Sequence, residues 1–210
     1  NSSQSIVNGI DLDGEGGMTW IKLRNVSDSH RLFDTERGAT KFVSSNLTTV
    51  ESAGGTDMLT SFNNNGFTYS TYANGYDVAS WTFRKAPKFF DVVKYTGSGS
   101  TQTISHNLGS VPGMIIIKGI DYAENWIVYH RSLGATKYIQ LNTTGTPSTS
   151  TAAFNDTGPT STEFTVKSFN AVNEANYNYV AYIFAHHNDD GGFGPDGDQD
   201  IIKCGSYTGN

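Results

Sequence analysis

The densest clusters of groups able to hold a ligand are two acidic, glycine-rich loops: Asp11-Leu12-Asp13-Gly14-Glu15, and Asp189-Asp190-Gly191-Gly192 running on to Asp196-Gly197-Asp198-Gln199-Asp200. Carboxylates on turning backbone suit Ca²⁺, a hard cation that takes oxygen ligands from flexible loops. Neither loop has EF-hand spacing, and solvated connectors share the same composition. Asp189, Asp190, Asp196, Asp198 and Asp200 are the calcium candidates, with the first loop the weaker one. His186-His187 adds nitrogen donors nearby, but adjacent residues on a strand point to opposite faces, which does not suit two ligands on one ion.

A second chemistry is sugar or receptor contact. Trp126 offers a stacking face, and His130-Arg131 offers donors for a carboxylate or an anionic sugar. Trp20 and Trp81 offer the same face, although tryptophans in strands are more often core. Nucleophilic catalysis has little to stand on. Gly97-Ser98-Gly99-Ser100 lacks the G-x-S-x-G spacing, and Cys204 is the single cysteine. Asp34 and Glu36 are the pair of acids a glycan-cleaving site would draw on. With 14 Lys and Arg, a formal charge of −6 and no basic run, the chain lacks the electrostatic term behind nucleic-acid affinity. No apolar run approaches a membrane span.

The elements that must position these residues are strands. Charged residues make up 16% and aromatic residues 12%, with Gly, Ser, Thr and Asn filling the gaps, as suits short strands joined by tight turns. Met18–Leu23, 32–33, 41–43, 67–69 and Val78–Phe83 alternate like strands, as do Phe90–Thr96, 101–105, 114–118, 126–129, 138–141, 164–169 and 179–185. Asn63-Asn64-Asn65-Gly66, Asn74-Gly75 and Asp156-Thr157-Gly158-Pro159 supply the turns between them.

Self-comparison shows that the strands recur. A shift of 96 places Gly17-Met18 on Gly113-Met114, Ile21-Lys22 on Ile117-Lys118, and Gly38-Ala39-Thr40-Lys41 on Gly134-Ala135-Thr136-Lys137. Nine of the thirty positions from Gly17 to Asn46 are identical, where roughly two would match by chance. Beyond Asn46 the register slips, yet Gly66-Phe67-Thr68 answers Glu163-Phe164-Thr165, and Trp81-Thr82-Phe83 answers Tyr182-Ile183-Phe184. Val93-Lys94-Tyr95-Thr96-Gly97 returns within Lys203–Gly209. The expectation is an all-β chain of tandem antiparallel β-sandwich repeats, jelly-roll or lectin-like. Residues 1–86 form the first repeat and 87–187 the second; 188–210 supply an acidic loop and the opening strand of a third.

The strings LFDTERGATKFV, WTFRKAPKFFDVVKYTG, SHNLGSVPGMIIIK, WIVYHRSLGATKYIQLNTT and IIKCGSYTGN together resemble a repeated domain found in structural proteins of marine tailed bacteriophages. The resemblance implies a non-enzymatic virion component, a tail-fibre or appendage segment serving as spacer and as a contact for host-surface glycan. It implies other virion proteins and copies of itself as partners, a trimer being usual for a fibre. A glycan-cleaving tail module and a bacterial surface adhesin repeat are the alternatives. No catalytic residue and no cofactor other than Ca²⁺ is expected, nor is nucleic acid or membrane insertion.

Overall fold

The computed structural model describes residues 2–189 and 192–209, and the chain divides into two units, Asn1–Lys85 and Ala86–Asn210. The first contains β1 (Gln4–Val7), β2 (Gly17–Leu23), β3 (Arg31–Asp34), β4 (Lys41–Ser44), β5 (Ser52–Ala53), β6 (Leu59–Asn63), β7 (Gly66–Tyr69) and β8 (Val78–Arg84). These strands make two antiparallel sheets, ordered β5-β4-β3-β2-β8 and β1-β7-β6. Alternation along each strand decides what lies between the sheets. Ile21 and Phe33 project inward to meet Leu59, Phe67 and Tyr69 of the smaller sheet. Trp20 and Leu32 project to the opposite face.

The second unit contains β9 (Phe90–Thr96), β10 (Gln102–Ser105), β11 (Met114–Gly119), β12 (Ile127–His130), β13 (Lys137–Gln140), β14 (Ser148–Thr149), β15 (Glu163–Val166) and β16 (Asn178–Phe184), with a one-turn helix at Asn170–Asn173. The larger sheet runs β14-β13-β12-β11-β16-β9, and the smaller is the pair β10-β15. Ile115, Ile117, Ile127, Tyr179 and Ile183 face Ile104, Phe164 and Val166 across the core. The chain is thus all-β, built from antiparallel sheets packed as sandwiches.

The strand registers of the two units run in step. Met18 lies opposite Asp34, and Met114 opposite His130; Leu32 opposite Val43, and Val128 opposite Ile139; Lys41 opposite Ala53, and Lys137 opposite Thr149. Each pair is the other displaced by 96. The last strands follow suit, with Met18 opposite Phe83 and Met114 opposite Phe184. Ile6 lies opposite Phe67 as Ile104 lies opposite Phe164, so β1 does in the first unit what β10 does in the second. Two strands have no counterpart among the described residues, β6 beside β7 in the first unit and β9 in the second. β9 covers the outer edge of β16 through seven paired positions, whereas β8 is the last strand of its sheet.

The Gly-Ala-Thr-Lys string found twice has a backbone cause. Gly38 (φ 89°) and Gly134 (φ 73°) turn the chain from β3 into β4 and from β12 into β13 in the left-handed region that glycine enters without a Cβ penalty. Elsewhere the structure departs from expectation. β1 and β6 are strands that a mostly polar composition conceals. The stretch Lys203–Gly209, expected to open a third repeat, forms no strand. Ile202 instead accepts a backbone hydrogen bond from His187 at 2.8 Å and Cys204 donates to His186 Nδ1 at 3.0 Å. A strand needs a ladder partner, and residues 203–209 meet none.

Lys22 and Lys118 also correspond, each donating its Nζ to the carbonyl of the residue that follows it. Lys118 is fully buried, and burial pushes its ammonium down to about 8, opposed by Glu124. Folding penalises the charged form, so below pH 8 the full cost is present. As pH rises from 8 toward the unfolded value the unfolded chain holds more protons, and stability rises. Tyr95 and Tyr179 are pushed up by burial, Tyr179 to about 12; this stabilisation is present below pH 10 and fades above it. Stability should therefore gain about 2 kcal/mol between pH 8 and pH 10. Urea titrations at those two values should show the gain in the native chain and its loss in Lys118→Met.

Candidate functional site

β2 and β8 place Trp20 directly opposite Trp81 on the face of the first unit turned away from its core. Their rings meet edge to face with centroids 6.3 Å apart, the arrangement aromatic quadrupoles favour. With His30 and Phe83 they line an apolar cleft of about 240 Å³. Trp81 is 49% exposed. Trp20 Nε1 donates to His30 Nδ1 at 2.9 Å, which leaves the imidazole proton on Nε2. Burial, helped by the charge of Lys22, holds His30 below its ordinary range, so at neutral pH the ring stays neutral and keeps accepting that bond. The cleft is an aromatic platform with an apolar lining, suited to an apolar or carbohydrate face.

The same positions of the second unit are closed. Ile116 and Tyr182, which answer Trp20 and Trp81, are 5% and 0% exposed. The exposure of Trp81 follows from β8 being an edge strand, a property that tryptophan content alone does not reveal. The unequal residue types at these equivalent positions were the available signal.

The expected contact residues Trp126, His130 and Arg131 do not form one site. Trp126 is fully buried, its ring stacked on Tyr182 at 6.3 Å, and its backbone N–H donates to Asn142 Oδ1 at 2.9 Å. It is a core residue. His130 lies four positions further along the chain, about 13 Å away at strand spacing. His130 Nδ1 accepts from the backbone N–H of Ser132, and burial with the Arg131 charge holds it below its usual range. Arg131 is exposed and meets His186 Nε2 through Nη1. Cys204 lies on the same side, but its Sγ donates to the Ala185 carbonyl at 3.5 Å, and burial pushes the thiol up against the lowering charge of Arg131. The thiolate needed of a nucleophile is disfavoured.

The acidic loops hold themselves rather than converging. Asp11 Oδ1 accepts from Gly14 N–H at 2.7 Å, and Glu15 pairs with Arg84 at 3.4 Å. Asp200 Oδ2 accepts from the backbone N–H of Asp189 at 2.7 Å, and its Oδ1 lies 3.9 Å from His187 Nδ1. Among the described residues no three histidine, cysteine or acidic side chains come together as a metal would need, so Asp189, Asp196, Asp198 and Asp200 build no calcium cage there; Asp190 lies outside the described residues. His186 and His187 diverge, His186 meeting Arg131 and the Cys204 N–H while His187 Nε2 engages the Lys88 carbonyl at 2.7 Å.

Asp34 and Glu36 are likewise committed to structure. Arg37 Nε donates to Asp34 Oδ2 at 2.6 Å with both side chains fully buried, and Lys85 pairs with Glu36 at 2.9 Å. Sequence reading missed a further network, in which Asp28 binds Arg31 and accepts from the Tyr72 hydroxyl at 3.0 Å. The Arg31 guanidinium also lies over the rings of Tyr72 and Phe42, at 4.6 and 5.2 Å. It ties β3 to the turn after β7.

No curated protein and no solved structure matches the chain. A family model matches residues 1–210 in full, and the chain belongs to that family, described as Domain of unknown function (DUF7483).

Proposed function

We propose that this chain is a non-enzymatic virion component of a tailed bacteriophage, two copies of one sandwich domain in series, acting as an appendage spacer that contacts host-surface glycan. The observation that carries the contact is the Trp20–Trp81 platform, an exposed aromatic cleft of a kind that a monomeric spacer has no other reason to leave open. The acids and the thiol that glycan cleavage or nucleophilic catalysis would draw on serve in ion pairs, turns and the core, which supports a binding role over glycan cleavage. Matching ladders displaced by 96 support the duplication, and the resemblance of the strand strings to marine phage structural domains supports the setting.

The chain should bind surface polysaccharide of a marine bacterial host in a sedimentation or calorimetric assay. Trp81→Ala should weaken that binding about tenfold or more, as loss of an aromatic anchor does, with an unchanged melting temperature. Oligosaccharide released on incubation would contradict the reading, as would binding indifferent to Trp81→Ala.

A further inference from the structure

Equivalent ends of the two units carry different charges. Thr35 N–H donates to the Gly17 carbonyl at 3.0 Å, and Arg131 N–H to the Gly113 carbonyl at 2.9 Å, so Arg131 and Ser132 stand where Thr35 and Glu36 do. Lys85 follows Phe83 by two residues as His186 follows Phe184, and those phenylalanines lie opposite Met18 and Met114. In the first unit the cation is neutralised from within, Lys85 pairing with Glu36 at 2.9 Å. In the second, Ser132 replaces the carboxylate while a positive charge is kept on Arg131. Among the described residues the Arg131 guanidinium has no carboxylate partner, and it meets the imidazole of His186 instead.

That meeting is between two donors. Gly113 leaves room for His186 and Cys204 to close over the end of β11, since a Cβ there would lie 2.7 Å from His186 Cβ and 2.8 Å from Cys204 Sγ. The Cys204 N–H then donates to His186 Nδ1 at 3.0 Å. A ring nitrogen that accepts carries no proton, so the neutral imidazole holds its proton on Nε2, the atom that faces Arg131 Nη1. Two N–H groups directed at one another repel, and an oxyanion that accepts from both turns the contact into charge-assisted hydrogen bonds. Burial keeps the Cys204 thiol protonated, so it adds no competing negative charge. Arg131 is exposed and His186 half-buried, which leaves the pair open to a ligand on one side and braced by backbone on the other.

We propose that Arg131 and the Nε2–H of His186 form a carboxylate-binding site where β12 and β16 end, and that it takes a uronic acid residue of an acidic polysaccharide. The carboxylate of the sugar does for Arg131 what Glu36 does for Lys85. The arginine fork presents N–H groups to both carboxylate oxygens, and His186 adds a donor from the side. The sugar assignment rests on the glycan reading above. The carboxylate site itself stands on the second unit alone and involves neither Trp20 nor Trp81.

Calorimetric titration of the full chain with oligogalacturonate and with its methyl ester tests this. The acid should bind about tenfold or more tightly than the ester. Arg131→Gln should lose that preference, and Arg131→Lys, which keeps the charge without the fork, should keep part of it. Ser132→Glu, a change at an exposed position, should abolish it by supplying the carboxylate from within, with an unchanged melting temperature. Trp81→Ala should weaken acid and ester alike. Acid and ester bound equally, or a preference that survives Arg131→Gln and Ser132→Glu, overturns the carboxylate site and leaves the glycan reading intact. If neither oligosaccharide binds but acetate shifts the His186 ring resonances in the native chain and not in Ser132→Glu, the site stands and the glycan reading falls. Polyglutamate bound more tightly than oligogalacturonate would overturn the sugar assignment in favour of an acidic peptide.

Discussion

Replacing Asp34 by alanine should destabilise the first unit by about 3 kcal/mol, the lower end of the range for breaking a buried ion pair. The change strands the guanidinium of Arg37, fully buried and held by Asp34 Oδ2 at 2.6 Å, the Leu32 carbonyl at 2.8 Å and Glu51 at 3.3 Å. Glu51 remains, which keeps the loss from the upper end. Arg37 N–H also loses Asp34 Oδ1 at 3.0 Å, so the turn after β3 loosens as well. The second unit shows that the plan does not require this pair, because His130 and Leu133 occupy the equivalent positions. Asp34→Ala combined with Arg37→Leu should therefore cost less than Asp34→Ala alone, since no charge is then left buried. Urea unfolding of the three chains, with amide exchange read in β2, β3 and β4, checks this. A double variant less stable than the single would show that Arg37 stabilises the fold through the Leu32 carbonyl and Glu51 even without Asp34.

Trp126→Ala should have an effect of similar size in the second unit, about 3 to 5 kcal/mol, because it opens a large cavity in a packed interior. The indole is fully buried against Tyr182, and the strands around it, β11, β12 and β16, are the most continuously apolar in the chain. The loss should appear as a lower melting temperature and faster exchange of β11 amides. A stable Trp126→Ala chain with weakened polysaccharide binding would instead restore Trp126 to the contact surface. Together with the near-neutral effect expected of Trp81→Ala, the pair of substitutions separates an indole that holds the fold from one that faces a ligand.

Much of the architecture was legible because its longer strands are apolar and bounded by turn residues. Phe90–Thr96 and Val78–Phe83 were bounded almost to the residue, and the shift of 96 predicted which strands correspond. β1 and β6 escaped because Gln4-Ser5-Ile6-Val7 and Leu59-Thr60-Ser61-Phe62-Asn63 each bury only one face of a small sheet, so few of their positions need be apolar. The tyrosine motif at Lys203–Gly209 was recognised, but a motif states which ladder a segment suits and not whether the ladder is within reach. The site was less legible. Exposure belongs to a position in the sheet rather than to a residue type, so Trp126 and Trp81 looked alike in sequence. Clustered carboxylates in the loops looked like ligands, yet Asp11 and Asp200 are taken up by the backbone N–H groups of their own turns.

Among the described residues one strand plan recurs with matching registers, its last strand covered by β9 in the second unit and at the sheet edge in the first, and the rest stands on it. Amide hydrogen exchange of the dilute chain tests it most directly by comparing β8 with β16. The outward amides of β8, the last strand of its sheet, should exchange at least an order of magnitude faster than those of β16, which β9 covers. Equal protection of β8 and β16 in the dilute chain would contradict it.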